Sequence, residues 1–189
     1  EEEPKLIIGP MAVAGAEPIY AMGTDTPVAV LSNRSRLLFD YFVQSFAQVT
    51  NPPLDAIREE LVTSMAGAVG PMANMLSTQQ TRTRQIQLNF PVIDNDQLDQ
   101  FVHLDDDGMP LSLRVRGLYR PVDGADSLRA RIAEICEKVS AAVNRGVQFV
   151  IISDRDSNGV WAPIPSLLLT SAVHHHLLRS ATRTKVALI

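Results

Sequence analysis

The spacing of apolar and polar positions changes along the chain, and the second half gives the clearest pattern. Residues 126–145 (DSLRARIAEICEKVSAAVNR) repeat apolar side chains at helical intervals. Asp126 or Ser127 is the expected cap and Gly146 the stop. Residues 147–154 (VQFVIISD) form a continuous apolar run, the signature of a strand buried on both faces. Residues 164–182 predict a second helix with Pro165 in its first turn, and 185–189 (KVALI) one more buried strand. Residues 111–119 (LSLRVRGLY) alternate as a strand should, ahead of the first helix. The second half therefore reads β-α-β-α-β. Two helices, each between apolar strands, call for right-handed crossovers and an α/β fold with a mainly parallel sheet.

The first half is more broken. An acidic start leads into a short helix or extended piece around KLIIGPMAVAG. Residues 27–32 (PVAVLS) predict a short buried strand. Leu37, Leu38, Tyr41, Phe42, Ser45 and Phe46 fall on one stripe of a helix over 36–48. Asn51-Pro52-Pro53 ends it, because a residue before proline is pushed out of the helical region. A further helix is expected over 54–66, with Asp55, Glu59 and Glu60 near its positive end. Residues 67–84 read as a loop and 85–93 as a half-exposed strand. A short helix capped by Asp94 or Asn95 and a turn at 105–110 follow.

Composition narrows the function classes. Among 189 residues, 46% are apolar and 20% charged, the balance of a soluble globular domain with a sizeable core. A net charge of -4 and dispersed Lys and Arg argue against nucleic acid or an anionic membrane as partner. No apolar run is long enough to span a bilayer. The single cysteine excludes a disulfide scaffold and points to a reducing compartment such as the cytoplasm. Cys136 sits among Ile132, Ile135 and Val139 on its helix, so it reads as a small buried hydrophobe. The opening EEEPKL and the apolar ending TKVALI are what one domain, 1–189, cut from a longer chain would show.

Candidate chemistry is sparse. His174, His175 and His176 are adjacent on a helix and point about 100° apart, so they cannot converge on one metal ion. Residues 105–108 (DDDG) resemble half a calcium loop but lack its 12-residue ligand pattern, and a turn is the better reading. The loop SDRDSNG (153–159) follows a buried strand at its carboxyl end, where α/β proteins place ligands. Asp154 and Arg155 could there hold an anionic metabolite, in a stand-alone module, or a neighbouring domain. The alternative is a polar loop closed by its own Asp–Arg pair. No dinucleotide, P-loop, CxxC or nucleophile-elbow motif occurs.

Three strings resemble one family: MGTDTPVAVLS (22–32), LLFDYFVQSFAQVTNPPLDAIREELVTS (37–64) and PIPSLLLTSAVHHHLLR (163–179). They are similar to the central domain of the glutamate synthase large subunit, over most of residues 10–189. The resemblance implies a domain shaped like a partial or modified TIM-type (aldolase-like) barrel. It implies partners in the same polypeptide, an amidotransferase domain that releases ammonia from glutamine and an FMN-binding domain with an iron–sulfur cluster. It also implies a small electron-donor subunit or ferredoxin. Flavin, cluster and nucleophilic cysteine belong to those other domains, so this segment is expected to hold no cofactor and to be catalytically silent alone. The central domain helps enclose an ammonia tunnel. A suitable wall is mostly apolar, with a few small hydrogen-bonding groups on rigid backbone. By that resemblance Met22 and Thr50 are the first candidates to line it, followed by Thr24, Thr26 and Asn51. Loops of this make-up also serve simply to close sheet ends.

Overall fold

The structure is a computed structural model and describes residues 4–15, 29–42, 62, 64–74, 76, 78 and 85–189. The chain divides into two compact units, Glu1–Val43 and Gln44–Ile189. In the first, a π-helical turn Pro4–Ile8 runs into helix α1, Gly9–Ala14. Gly15 ends α1 at φ 65°, a left-handed cap that glycine adopts without strain. The strand expected over 27–32 is absent where it is described: Ala29–Leu31 form a 3-10 turn. Ala29 is buried while Val30 and Leu31 are exposed, so no second face exists to bury a strand. In the described part of the helix expected over 36–48, residues 36–42, Leu38–Tyr41 form a 3-10 turn. It ends at Phe42, whose backbone is extended. Residues 43–48 and most of the helix expected over 54–66 lie outside the described residues; of those described, Val62 is helical and 64–66 are not.

The second unit is built on a parallel sheet. Strands β5 (Ser112–Arg116), β7 (Phe149–Ser153) and β9 (Ala187–Leu188) lie in that order, with β7 central. Ser112 pairs with Phe149 and Phe149 with Ala187. Helix α3 (Ala125–Asn144) connects the first two strands, and α4 (Ser166–Arg179) the second two. Both helices bury one stripe in the same cluster: Ile135, Cys136, Val139 and Val143 from α3, Leu169, Val173 and Leu177 from α4. Val115 and Val150 meet them from the sheet. Alternation puts Phe149 and Ile151 on the opposite face, against Phe101 of helix α2 (Asn95–Val102) and Leu111. Val139, Val150, Val173 and Leu177 are fully enclosed, and each such side chain stabilises the fold by about 1.5–3 kcal/mol.

The three-stranded sheet is parallel, as expected; the other pairs among the described strands are antiparallel and form separate two-stranded sheets. β1 (Gly67–Val69) pairs with β2 (Ile86–Leu88), inside and after the stretch expected to be loop. β3 (Asp105–Asp106) pairs with β4 (Met109–Pro110) across a tight turn. Asp107 and Gly108, at φ 50° and 82°, supply the two left-handed positions that such a turn requires. β6 (Leu118–Tyr119) pairs with β8 (Ala162–Pro163).

The strand expected over 111–119 thus breaks at Gly117. A Cβ there would lie 2.7 Å from a methyl of buried Leu169, so any side chain would have to displace Leu169 beneath α4. Its N–H bonds the Ser153 carbonyl and its carbonyl accepts from Ile164, both at 2.8 Å, which redirects the chain from one ladder to the other. The cap of α3 also differs from expectation. Gly124 is the N-cap, at φ 82°, and Ser127 Oγ turns back to the Arg120 and Gly124 carbonyls. Pro165 stands one place ahead of α4 as its N-cap, and the last strand is shorter than 185–189 because Arg183–Lys185 form a 3-10 turn.

Candidate functional site

Met22, Thr24, Thr26, Thr50 and Asn51 lie outside the described residues. The other candidates, Asp154 and Arg155, sit on the loop that leaves β7. The alternative of a loop closed by its own Asp–Arg pair is not met among the described residues. Arg155 turns to α2, where an Nη donates to Asn95 Oδ1 at 2.6 Å. Asp154 is exposed. Asp156 takes the role of loop anchor instead. Its carboxylate is 3.6 Å from Arg114 and 3.7 Å from Arg116, two positions on the same face of β5. Asp156 adopts φ 74°, a conformation that Asp tolerates better than bulkier residues. Asn158 then closes the turn by accepting from the Val160 and Trp161 amides.

Arg155 and Arg114 open onto a cleft of about 190 Å³ between α2 and the strand ends, with Asn95, Ser153, Asp99 and His103 also in its wall. Helix α2 is fixed at both ends. Asp94 and Gln97 form a reciprocal capping box at its start. Ser112 Oγ donates to the Val102 carbonyl at its end. A second cleft, of about 250 Å³, lies beside Trp161. The Arg116 and Arg120 guanidinium groups each stand 6.0 Å from the Trp161 ring, at the outer limit of a cation–π contact. Arg131 reaches from α3 to the carbonyls of Arg116 and Leu118, on either side of the Gly117 break. Helical spacing alone gave no sign of that bracing role.

The histidines serve structure. Arg183 Nε donates to His174 Nδ1 at 2.9 Å, tying α4 to the turn before β9. Ser140 and His176 Nε2 meet at 2.6 Å and join α3 to α4. His175 is exposed. His174 and His176 thus point to separate partners, and the His174 and His175 rings meet edge to face with centroids 5.3 Å apart. No set of three metal-ligating side chains converges among the described residues. Burial pushes the Cys136 thiol above its ordinary value, with Arg179 pulling it down and Glu137 adding to the rise. A thiol so placed is a poor nucleophile. No described helix is long and apolar enough to cross a membrane.

Residues 1–189 match the family model described as the glutamate synthase central domain. The chain is 40% identical over 183 residues to the glutamate synthase [NADPH] large chain of Bacillus subtilis, covering 95% of this chain and 11% of that protein. It is 38% identical over 192 residues to ferredoxin-dependent glutamate synthase 2 of Synechocystis sp., covering 100% of this chain and 12% of the relative. Against glutamate synthase [NADH] of Schizosaccharomyces pombe the identity is 36% over 191 residues, 100% of this chain and 9% of the relative. The chain thus spans about a tenth of the length of these curated relatives. A match over the whole chain also favours the large-subunit expectation over an isolated ligand-binding module. The chain belongs to the glutamate synthase central domain family.

Proposed function

We propose that this chain is the non-catalytic joining domain of a glutamate synthase, set between a glutamine amidotransferase domain and an FMN-binding synthase domain. The observation that carries the reading is the family match over residues 1–189, within relatives about ten times as long. The parent enzyme would form glutamate from glutamine and 2-oxoglutarate in the cytoplasm or another reducing compartment. Relatives at 36–40% identity are named for NADH, ferredoxin and NADPH. Similarity to all three supports a donor choice made elsewhere in the enzyme, by a small electron-donor subunit or by ferredoxin.

The residues of this segment do not suit the parent's cofactors. An iron–sulfur cluster takes several cysteine thiolates, and the chain has one cysteine, which is buried in the core. Among the described residues, the two clefts of about 190 and 250 Å³ fall below the usual range for drug-sized ligands, and a flavin needs at least that space. Both groups are therefore assigned to the neighbouring domains, and no step of the reaction is routed through this chain.

Its contribution is to shape the path of ammonia. Met22, Thr50, Thr24, Thr26 and Asn51 are proposed to line that path. Proline restricts its own φ and the residue before it, and Pro52 and Pro53 directly follow Thr50 and Asn51, which is the sequence basis for choosing those two. The parallel strands succeed one another as neighbours, β5-β7-β9, with both connecting helices packed into one cluster. Such winding supports a partial TIM-type barrel, in which every unit adds beside the last. In the intact enzyme, Thr50→Leu should put a bulky side chain in the path. Glutamine hydrolysis would then exceed glutamate formation, with free ammonia released. A one-to-one ratio in the variant would remove Thr50 from the path.

A further inference from the structure

The cleft between α2 and the ends of β5 and β7 has polar chemistry that packing does not use. Arg155 spends one Nη on Asn95 and has no other side-chain partner among the described residues. Arg114 makes only the 3.6 Å contact with Asp156, longer than a hydrogen bond. Arg155 and Arg114 both line the cleft, together with Asn95 and with Ser153, whose hydroxyl accepts from the Arg155 amide at 3.3 Å. His103 is turned back to Asp99, its Nδ1 2.9 Å from the Asp99 carbonyl. The wall holds two arginines and one carboxylate, Asp99, with Asp156 standing 3.6 Å from Arg114 beside it, within a chain of net charge -4. The position is the carboxyl end of adjacent parallel strands, where open α/β sheets bind ligands.

We propose that this cleft binds one carboxylate group, held by the Arg155 and Arg114 forks. A guanidinium fork matches a planar carboxylate with two parallel N–H···O bonds. A volume of about 190 Å³ suits a group of a few heavy atoms. Asp99 in the wall selects a monoanion over a phosphate dianion, because a second negative charge would face it. The carboxylate belongs either to a small free acid or to an acidic side chain reaching in from elsewhere in the polypeptide. The proposal is independent of the ammonia path.

The test is hydrogen exchange with mass spectrometry on the intact polypeptide, adding acetate against chloride at matched ionic strength, with inorganic phosphate as a second probe. If the source is free, acetate slows exchange over 94–103 and 150–160 more than phosphate does. Arg155→Gln then weakens that effect by about tenfold or more, the loss expected for a charged hydrogen bond. If the source is a side chain, acetate changes nothing, and Arg155→Gln speeds exchange in a segment outside these 189 residues as well as in α2. Asn95→Ala separates a purely structural role, since it frees Arg155 without removing its charge. No acetate effect, together with changes in Arg155→Gln that Asn95→Ala reproduces and that stay within α2, would overturn the proposal.

Discussion

The Cys136 side chain packs between α3 and α4, and its burial favours the neutral thiol. The folded value therefore lies above the ordinary 9.0. Stability contributed this way is fully present below the unfolded value and is lost as pH rises through the folded one. Urea midpoints should therefore fall as pH climbs above about 9, and Cys136→Ala should lessen that fall while costing a small cavity at neutral pH. At neutral pH the native thiol should alkylate slowly, and urea should expose it. Fast alkylation of the native protein would contradict its burial. The residue was readable as a core position because its helix neighbours are apolar. Asp156 and Arg131 were not readable in the same way. Asp156 is fixed by arginines some 40 residues earlier in the chain, and Arg131 by carbonyls freed at a strand break. Those partners are set by tertiary register.

At the scale of the element, local signals were strongest where periodicity ran longest. α3, α4 and β7 fall where 126–145, 164–182 and 147–154 placed them, within a few residues at each end. The short apolar runs were ambiguous. PVAVLS has strand composition, yet Ala29–Leu31 have no partner strand among the described residues and turn as a 3-10 helix. β1 was hidden in a Gly-rich stretch because three residues, Gly67–Val69, carry almost no period, and pairing with β2 alone defines them. α2 shows the opposite case, a short helix announced by its cap. Asp94 Oδ1 accepts from the Gln97 amide at 2.8 Å, and Gln97 Oε1 accepts from the Asp94 amide at 3.0 Å. Asp94→Ala should cost about 1 kcal/mol in chemical denaturation. Asp94→Asn, which keeps an acceptor, should cost only a few tenths. Equal losses for the two would mean that charge, and not the capping bond, is what matters.

Across the whole molecule, burial is distributed unevenly between the two units. The second holds two apolar clusters on opposite faces of β7, including Val139, Val150, Val173 and Leu177. In the first, Ala29 is the buried hydrophobe among the described residues, while Leu6, Val13, Leu37 and Phe42 are well exposed. Burial of apolar area is the main favourable term in folding, so the two units should differ in local opening free energy. Native-state hydrogen exchange should find its slowest amides in β7 and the facing turns of α3 and α4. Amides of 4–15 and 29–42 should exchange orders of magnitude faster. A protease at low dose should accordingly cut within those first segments before it cuts anywhere in 111–189. On the proposed joining role, the same exposed side chains would be apolar surface available to a neighbouring domain of a longer polypeptide. Cleavage in the first unit should then slow relative to the 189-residue chain, whereas cleavage in 111–189 should be unchanged. Equal rates in the two contexts would mean that no other domain covers the first unit.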